Sequence, residues 1–200
     1  MIYQKYVKRV LDMSISSVAL VVLSPVFLLL TLLSLIILGR PIFFRQTRTG
    51  IDGELFTLLK FRTMTNDVNA SGELLADEFR LVGYGSFLRA TSLDETPQFL
   101  NVLLGDMSLI GPRPLLPEYL PLYSFEQLKR LVVKPGLSGL TQANGRNELT
   151  WDEKFKLDLQ YVESISLKTD LLLIAKTIKS IMRISHFQET GKPNPTKFSG

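Results

Sequence analysis

The feature that most constrains this chain is an uncharged run from Met13 to Leu38, interrupted near its middle by Ser24-Pro25. As one straight helix the run is long enough to cross a bilayer core of about 30 Å. The proline works against that outcome. Pro25 has no N–H to give to the Val21 carbonyl, its ring crowds the preceding turn, and the Ser24 hydroxyl can bond back to a carbonyl one turn earlier. A bend there leaves arms of about 12 and 14 residues, each about 18–21 Å long and too short to span. Charge points the same way. Lys5, Lys8 and Arg9 precede the run and Arg40, Arg45 and Arg48 follow it, so the positive-inside rule draws both ends to the cytoplasm. Residues 1–40 are expected to form a re-entrant hairpin broken at Ser24 and Pro25; the alternative is a kinked spanning helix. The basic start also imitates a signal peptide, but no small-x-small cleavage site follows.

The rest of the chain carries the composition of a soluble domain, expected over residues 41–185, with a C-terminal tail over 186–200. There is no cysteine, so disulfides and thiolate metal sites are excluded, and His186 is the only histidine. That argues against a histidine-based zinc site or a Ser-His-Asp triad; a metal here would be held by oxygen, which favours magnesium. The net charge of +4 suggests acidic partners. With a membrane segment present, anionic lipid headgroups and phosphate substrates are expected rather than nucleic acid.

The fold class expected is mixed α/β (α+β): a small β-hairpin and a helical cytoplasmic domain with interfacial amphipathic helices. Ile42-Phe43-Phe44 and Leu55-Phe56-Thr57-Leu58-Leu59 flank Thr49-Gly50-Ile51-Asp52-Gly53, a hairpin signal. On and near it, Lys60 and Arg62 either meet a phosphate or anchor to headgroups. A helical pattern starts at Glu73 and is interrupted by Gly83 and Gly85. Another runs from about Ser92 to Gly105. From Trp151 a helical stripe of Trp151, Phe155, Leu159 and Val162 reads as core. A basic amphipathic helix follows, roughly residues 170–184, which either lies in the membrane interface or covers the core. Pro193 and Pro195 mark a flexible tail.

The chemistry concentrates in Arg89-Ala90-Thr91-Ser92-Leu93-Asp94-Glu95-Thr96-Pro97-Gln98. Ser92-x-x-Glu95 is a capping box, which makes Glu95 a cap and Asp94 an ordinary first-turn acid. Local spacing favours that structural reading. Against it, an amide-rich helix start with Arg89 just upstream seats a phosphate, and an acid placed there stays ionised, as a nucleophile must be. Adjacent residues point about 100° apart on a helix, so Asp94 and Glu95 need separate roles. Downstream, the flanking prolines of Pro112-Arg113-Pro114 hold Arg113 extended, where it either binds phosphate bidentately or is merely solvated. The turn-rich stretch containing Gln142, Asn144 and Arg146 suits a nucleotide base and ribose, although many such stretches are only turns.

Several ordered motifs reverse the odds at Asp94. They are Gln46-x-Arg48-x-Gly50, Lys60-Phe61-Arg62-Thr63-Met64, Leu88-Arg89-x-x-Ser92-Leu93-Asp94-Glu95, Asn101-Val102-Leu103-x-Gly105-Asp106-Met107-Ser108, Gly111-Pro112-Arg113-Pro114 and Gln142-x-Asn144-Gly145-Arg146-Asn147. With the Ser24-Pro25 break, they resemble the bacterial sugar transferases known as monotopic phosphoglycosyl transferases along essentially the whole chain. The resemblance implies transfer of a phosphosugar from a UDP-sugar to undecaprenyl phosphate, at the cytoplasmic face of the bacterial inner membrane, with magnesium as cofactor. It implies Asp94 as nucleophile and Glu95 as its partner, in metal binding or proton handling, with both carboxylates available to the metal. It further implies Lys60, Arg62, Arg89, Arg113, Gln142, Asn144 and Arg146 as substrate-binding residues. Leu140 stands where the family commonly has tryptophan, and Thr96 where an aliphatic residue is usual. The stretch Leu115–Tyr123 and the terminal Lys197-Phe198-x-Gly200 most resemble the Campylobacter-type members, which use UDP-N,N′-diacetylbacillosamine for protein N-glycosylation. The same chemistry with another UDP-N-acetyl-hexosamine, for capsule, O-antigen or exopolysaccharide, is the alternative. Two further readings are a nucleotide-sugar hydrolase and a non-catalytic lipid-binding scaffold.

Overall fold

A computed structural model describes residues 2–145, 149–182 and 198. Arg146, His186 and all of the tail except Phe198 lie outside the described residues. After a π-helical turn, α1 (Lys8–Val22) and α2 (Ser24–Ile37) meet at a 62° bend. The cause is the one read from sequence: the Ser24 hydroxyl donates to the Val21 carbonyl at 2.8 Å, satisfying the acceptor that Pro25 abandons. Among the described residues no single helix is long and apolar enough to cross a membrane, although the bent pair passes that test together.

The bent pair is inside out. On α1 the buried side chains are Lys8, Asp12 and Ser16, spaced one turn apart, while Val10, Met13, Val18 and Val21 are exposed. The polar stripe faces protein. Lys8 pairs with Asp170 at 2.6 Å, and Asp12 accepts the Leu109 amide at 3.0 Å. Arg9 donates to the Val102 and Leu103 carbonyls at 2.5 and 2.8 Å. On α2, Phe27 packs on Phe61 with ring centroids 5.0 Å apart, which joins the bent pair to the rest of the chain.

Strands β1 (Phe43–Thr49) and β2 (Leu55–Phe61) pair antiparallel from Phe43 against Phe61 to Thr49 against Leu55. Their turn uses positive φ at Asp52 and Gly53, as the Asp-Gly signal predicts. No regular helix begins at Glu73. A short helix α3 (Asp77–Arg80) is followed, after a break at Leu81 and Val82, by α4 (Gly83–Ala90), which starts at the first of the two glycines expected to interrupt the pattern and runs through the second. Gly85 is needed for contact: a Cβ there would stand 1.7 Å from the Thr63 carbonyl oxygen.

Helix α5 (Gln98–Leu104) ends at Gly105, with φ 98°. Strand β3 (Ser108–Ile110), the short α6 (Phe125–Leu128), and β4 (Gly136–Ser138) follow, and β3 pairs parallel to β4. Where the two segments cross, a Cβ on Gly136 would lie 2.1 Å from the Gly111 amide nitrogen, so glycine is required. Then come α7 (Leu140–Ala143), α8 (Trp151–Glu163) and α9 (Leu167–Met182). Helix α8 opens with a capping box between Thr150 and Glu153. Helix α9 turns Asp170 and Leu173 inward and leaves Leu171, Leu172 and Ile178 exposed.

The main core joins Leu58, Val102, Met107, Leu109, Ile110, Tyr161 and Leu173. A second, aromatic cluster packs Tyr119, Tyr123 and Phe155 around Phe198. At that one position the chain is buried, unlike the free tail expected from the prolines. Mixed α/β architecture, mostly helical with little sheet, is what the sequence led us to expect.

Candidate active site

Asp94 and Glu95 sit in a tight 3-10 turn, Leu93–Glu95, between α4 and α5, and not in the first turn of a long helix. Ser92 adopts φ 56°, so its hydroxyl makes no cap bond, and the Glu95 amide takes the Ser92 carbonyl at 3.2 Å instead. The capping box that local spacing favours therefore does not form. Glu95 is turned elsewhere: Lys60 donates to its Oε1 at 2.7 Å and Arg113 at 3.5 Å. Asp94 is buried, 7% exposed. Burial pushes its carboxyl up to about 6, and the Glu95 charge adds to the rise, while Lys60, Arg89 and Arg113 oppose it. The site thus holds an acid poised near neutrality within a ring of cations, a common property of reacting groups.

Three supports fix this geometry. Asn101, 1% exposed, accepts the Leu59 amide at 3.1 Å and donates to the Thr57 carbonyl at 2.8 Å. Its side chain pairs with the edge of β2 as a neighbouring strand would, holding Lys60 against the turn. Thr63 accepts from the Arg89 Nε at 3.0 Å. Arg130, buried and paired with Asp158 at 2.7 Å, also donates to the Arg113 carbonyl at 2.6 Å. Asp158 in turn accepts from Thr141 at 2.8 Å, linking the Arg113 loop to α7.

The structure gathers Lys60, Arg89, Asp94, Glu95 and Arg113. It does not bring Arg62 with them. Arg62 is buried and donates to the Leu38 and Gly39 carbonyls, capping the C-terminal end of α2. Asn144 is exposed and donates to the Leu140 carbonyl of its own turn at 2.6 Å. Gln142 has both amide atoms buried without a partner, and its Oε1 lies beside Gly139. Arg146 lies outside the described residues.

Two residues lining the cleft beside Glu95, Arg48 and Gln98, escaped the sequence reading. The available signal for Arg48 was its place in Gln46-x-Arg48-x-Gly50; Gln98 carried none. For magnesium, no group of three or more His, Cys, Asp or Glu side chains occurs among the described residues. Two adjacent carboxylates, one of them raised by burial, nonetheless fit an ion that takes one or two protein carboxylates and completes its shell with substrate phosphates and water.

Comparison with known proteins matches the family model "Bacterial sugar transferase" over residues 3–184. The chain is 43% identical over 193 residues to the uncharacterized sugar transferase EpsL of Bacillus subtilis, covering 96% of each. It is 36% identical over 185 residues to a UDP-glucose:undecaprenyl-phosphate glucose-1-phosphate transferase of Caulobacter vibrioides, covering 88% of this chain and 69% of that one. To the undecaprenyl-phosphate galactose phosphotransferase of Salmonella typhimurium it is 35% identical over 196 residues, covering 90% of this chain and 41% of the relative.

Proposed function

The chain belongs to the bacterial sugar transferase family, and from that premise we propose that it moves a sugar 1-phosphate from a UDP-sugar to undecaprenyl phosphate, releasing UMP. It is an enzyme of the sugar-phosphate transferase type, and the names of its relatives supply both substrate classes. The observation that carries the mechanism is the buried Asp94 carboxyl, raised to about 6 and faced by Lys60, Arg89 and Arg113.

An oxygen of ionised Asp94 attacks the β-phosphorus of the UDP-sugar. The bond from that phosphorus to the bridging oxygen breaks, and the oxygen leaves with its electron pair on UMP. A phosphate oxygen of undecaprenyl phosphate then attacks the same phosphorus, expelling Asp94 and giving undecaprenyl diphosphate sugar. Lys60 and Arg113 hold Glu95 and would meet the transferred phosphoryl group, and Arg89, held by Thr63, adds positive charge near Asp94. Asp94 and Glu95 would hold magnesium, which when bound neutralises the diphosphate and stabilises the departing UMP. Gln142 and Asn144 are assigned to the nucleotide. A covalent relay suits the two substrates, because one is water-soluble and the other is fixed in lipid.

The site is read as lying on the cytoplasmic face of the bacterial inner membrane, with residues 1–40 re-entrant. The bent helix pair, its outward apolar side chains and the basic residues at both flanks support this. So does α9, whose exposed Leu171, Leu172 and Ile178 are accompanied by Lys176 and Lys179. The donor is a UDP-sugar. UDP-N,N′-diacetylbacillosamine for protein glycosylation is tested against UDP-glucose, which is in one relative's name, and a galactose donor, after the galactose in another's.

The test is incubation of purified protein with magnesium and a panel of UDP-sugars labelled at the β-phosphate, without acceptor. Wild type is expected to acquire covalent label and release UMP, and Asp94→Asn to do neither. UMP appearing only when undecaprenyl phosphate is added would remove the covalent role of Asp94.

A further inference from the structure

Phe198 is the one residue of the Lys197-Phe198-x-Gly200 motif that the structure describes, and the mechanism above gives it no task. Its ring is 8% exposed and packs on four others, with centroids 5.8 Å from Tyr119, 6.1 Å from Tyr123, 5.3 Å from Trp151 and 5.1 Å from Phe155. Two of these rings have a second contact. Tyr123 and Phe155 also lie against the Arg130 guanidinium, whose carbon is 5.9 and 5.8 Å from their centroids. Phe198 therefore backs both walls of the aromatic cage around Arg130.

Arg130 is 3% exposed and engaged by all three of its side-chain nitrogens. Its Nε and Nη2 donate to Asp158 Oδ2 at 3.0 and 2.7 Å, its Nη1 donates to the Tyr123 hydroxyl at 3.4 Å, and Nη2 also donates to the Arg113 carbonyl at 2.6 Å. The last bond reaches the candidate active site. Prolines on either side leave the chain around Arg113 short of amide donors, so it is anchored through its carbonyls. Pro112 accepts from the Gly136 amide, Arg113 from Arg130 and Pro114 from Arg48. The Arg113 side chain itself is half exposed and meets Glu95 at 3.5 Å. Its aim is set by the backbone beneath it, and the middle anchor of that backbone is the guanidinium that Phe198 helps to cage.

We propose that Phe198 is a positioning residue of the transferase, acting through Tyr123, Phe155 and Arg130 to fix Arg113 beside Glu95. The proposal rests on the transferase reading and adds to it a residue far from the reacting turn. Removing the ring leaves a cavity that its neighbours fill only in part. Without that backing the two cage rings shift, the Arg130 fork turns, and the Arg113 carbonyl loses its fixed donor. Groups that act on a reacting centre are sensitive to displacements of about 1 Å, so the loss falls on the rate.

The experiment uses the full chain in lipid nanodiscs. Phe198→Ala and Phe198→Leu are made in the wild-type and the Arg113→Ala backgrounds, and each is followed by its covalent labelling rate and by amide hydrogen exchange. In the wild-type background Phe198→Ala is expected to label about tenfold more slowly, with Phe198→Leu in between because it refills part of the cavity. In the Arg113→Ala background neither should slow labelling further, since the residue through which Phe198 acts is gone. Exchange across 108–116 should rise about tenfold in Phe198→Ala while exchange across β2 stays as in wild type. A ring that only adds stability would give the same rate loss in both backgrounds, or leave exchange at 108–116 unchanged in the folded variant; either result overturns the proposal. Should Phe198→Ala fail to fold, Phe198→Leu decides, and should Arg113→Ala label too slowly to time, exchange decides. If wild type takes label from no UDP-sugar, the transferase reading fails, while exchange at 108–116 still tests the coupling from Phe198 to Arg113.

Discussion

At Asp94 the proposed chemistry and the stability of the protein pull in opposite directions. Its carboxyl, about 6 in the folded chain against an ordinary 3.8, holds a proton in the folded state that the unfolded chain has already released. The contribution of this group to stability is therefore complete below about pH 4 and lost as the pH rises through 6, costing about 3 kcal/mol at neutrality. Asp94→Asn should consequently be inactive yet more stable than wild type by about 1–3 kcal/mol at pH 7.5, which denaturant unfolding at pH 7.5 and at pH 4 resolves, since the gain should vanish at the lower pH. The same shift sets the acid limb of the reaction. Covalent labelling by the proposed route needs ionised Asp94, so its rate should fall about tenfold per pH unit on the acid side, below about 6 or lower where bound magnesium favours the anion. Sequence reasoning singled out this residue but expected an acid kept ionised by a helix start. Burial was invisible to it, because the side chains that cover Asp94 come from distant parts of the chain.

Between elements, the seam that decides the site's shape is the one from α5 to β2, and Asn101 makes it. Asn101→Ala leaves the Leu59 amide and the Thr57 carbonyl without their partner, and should cost about 2–4 kcal/mol in chemical denaturation. Asn101→Asp keeps the acceptor for Leu59 but gives up the donor to Thr57, and should also destabilise. Local signals revealed the elements themselves unevenly. Asp52-Gly53 announced the β-hairpin and Ser24-Pro25 the bend, since each acts through its own backbone. Helix α4 was misread because Gly85 answers to the Thr63 carbonyl, a contact about twenty residues away in sequence. The parallel pair of β3 and β4 was missed because three-residue strands show no periodicity, and Gly111 and Gly136 reveal their crossing only when brought together. Arg62 was misplaced for a related reason: a guanidinium in a motif does not disclose whether it will find a phosphate or the end of a helix.

For the molecule as a whole, the 1–40 segment and the remainder are bolted together in both directions. Arg9 of α1 caps α5, Arg62 beyond β2 caps α2, and Lys8 is paired with Asp170. A chain beginning at Pro41 should therefore lose cooperative unfolding and become protease-sensitive, where a detachable anchor would leave a stable domain behind; limited proteolysis and near-UV circular dichroism separate the two. The short helix between Arg9 and the carboxylates acts as a ruler. Arg9 grips the last carbonyls of α5, and the reacting turn lies at its other end, a separation of about 10 Å for seven residues. If α1 is seated at a fixed depth, the height at which Asp94 would meet a lipid phosphate on the proposed route is fixed too. One added turn in α5 would lift the site by about 5 Å, more than a phosphoryl group can bridge.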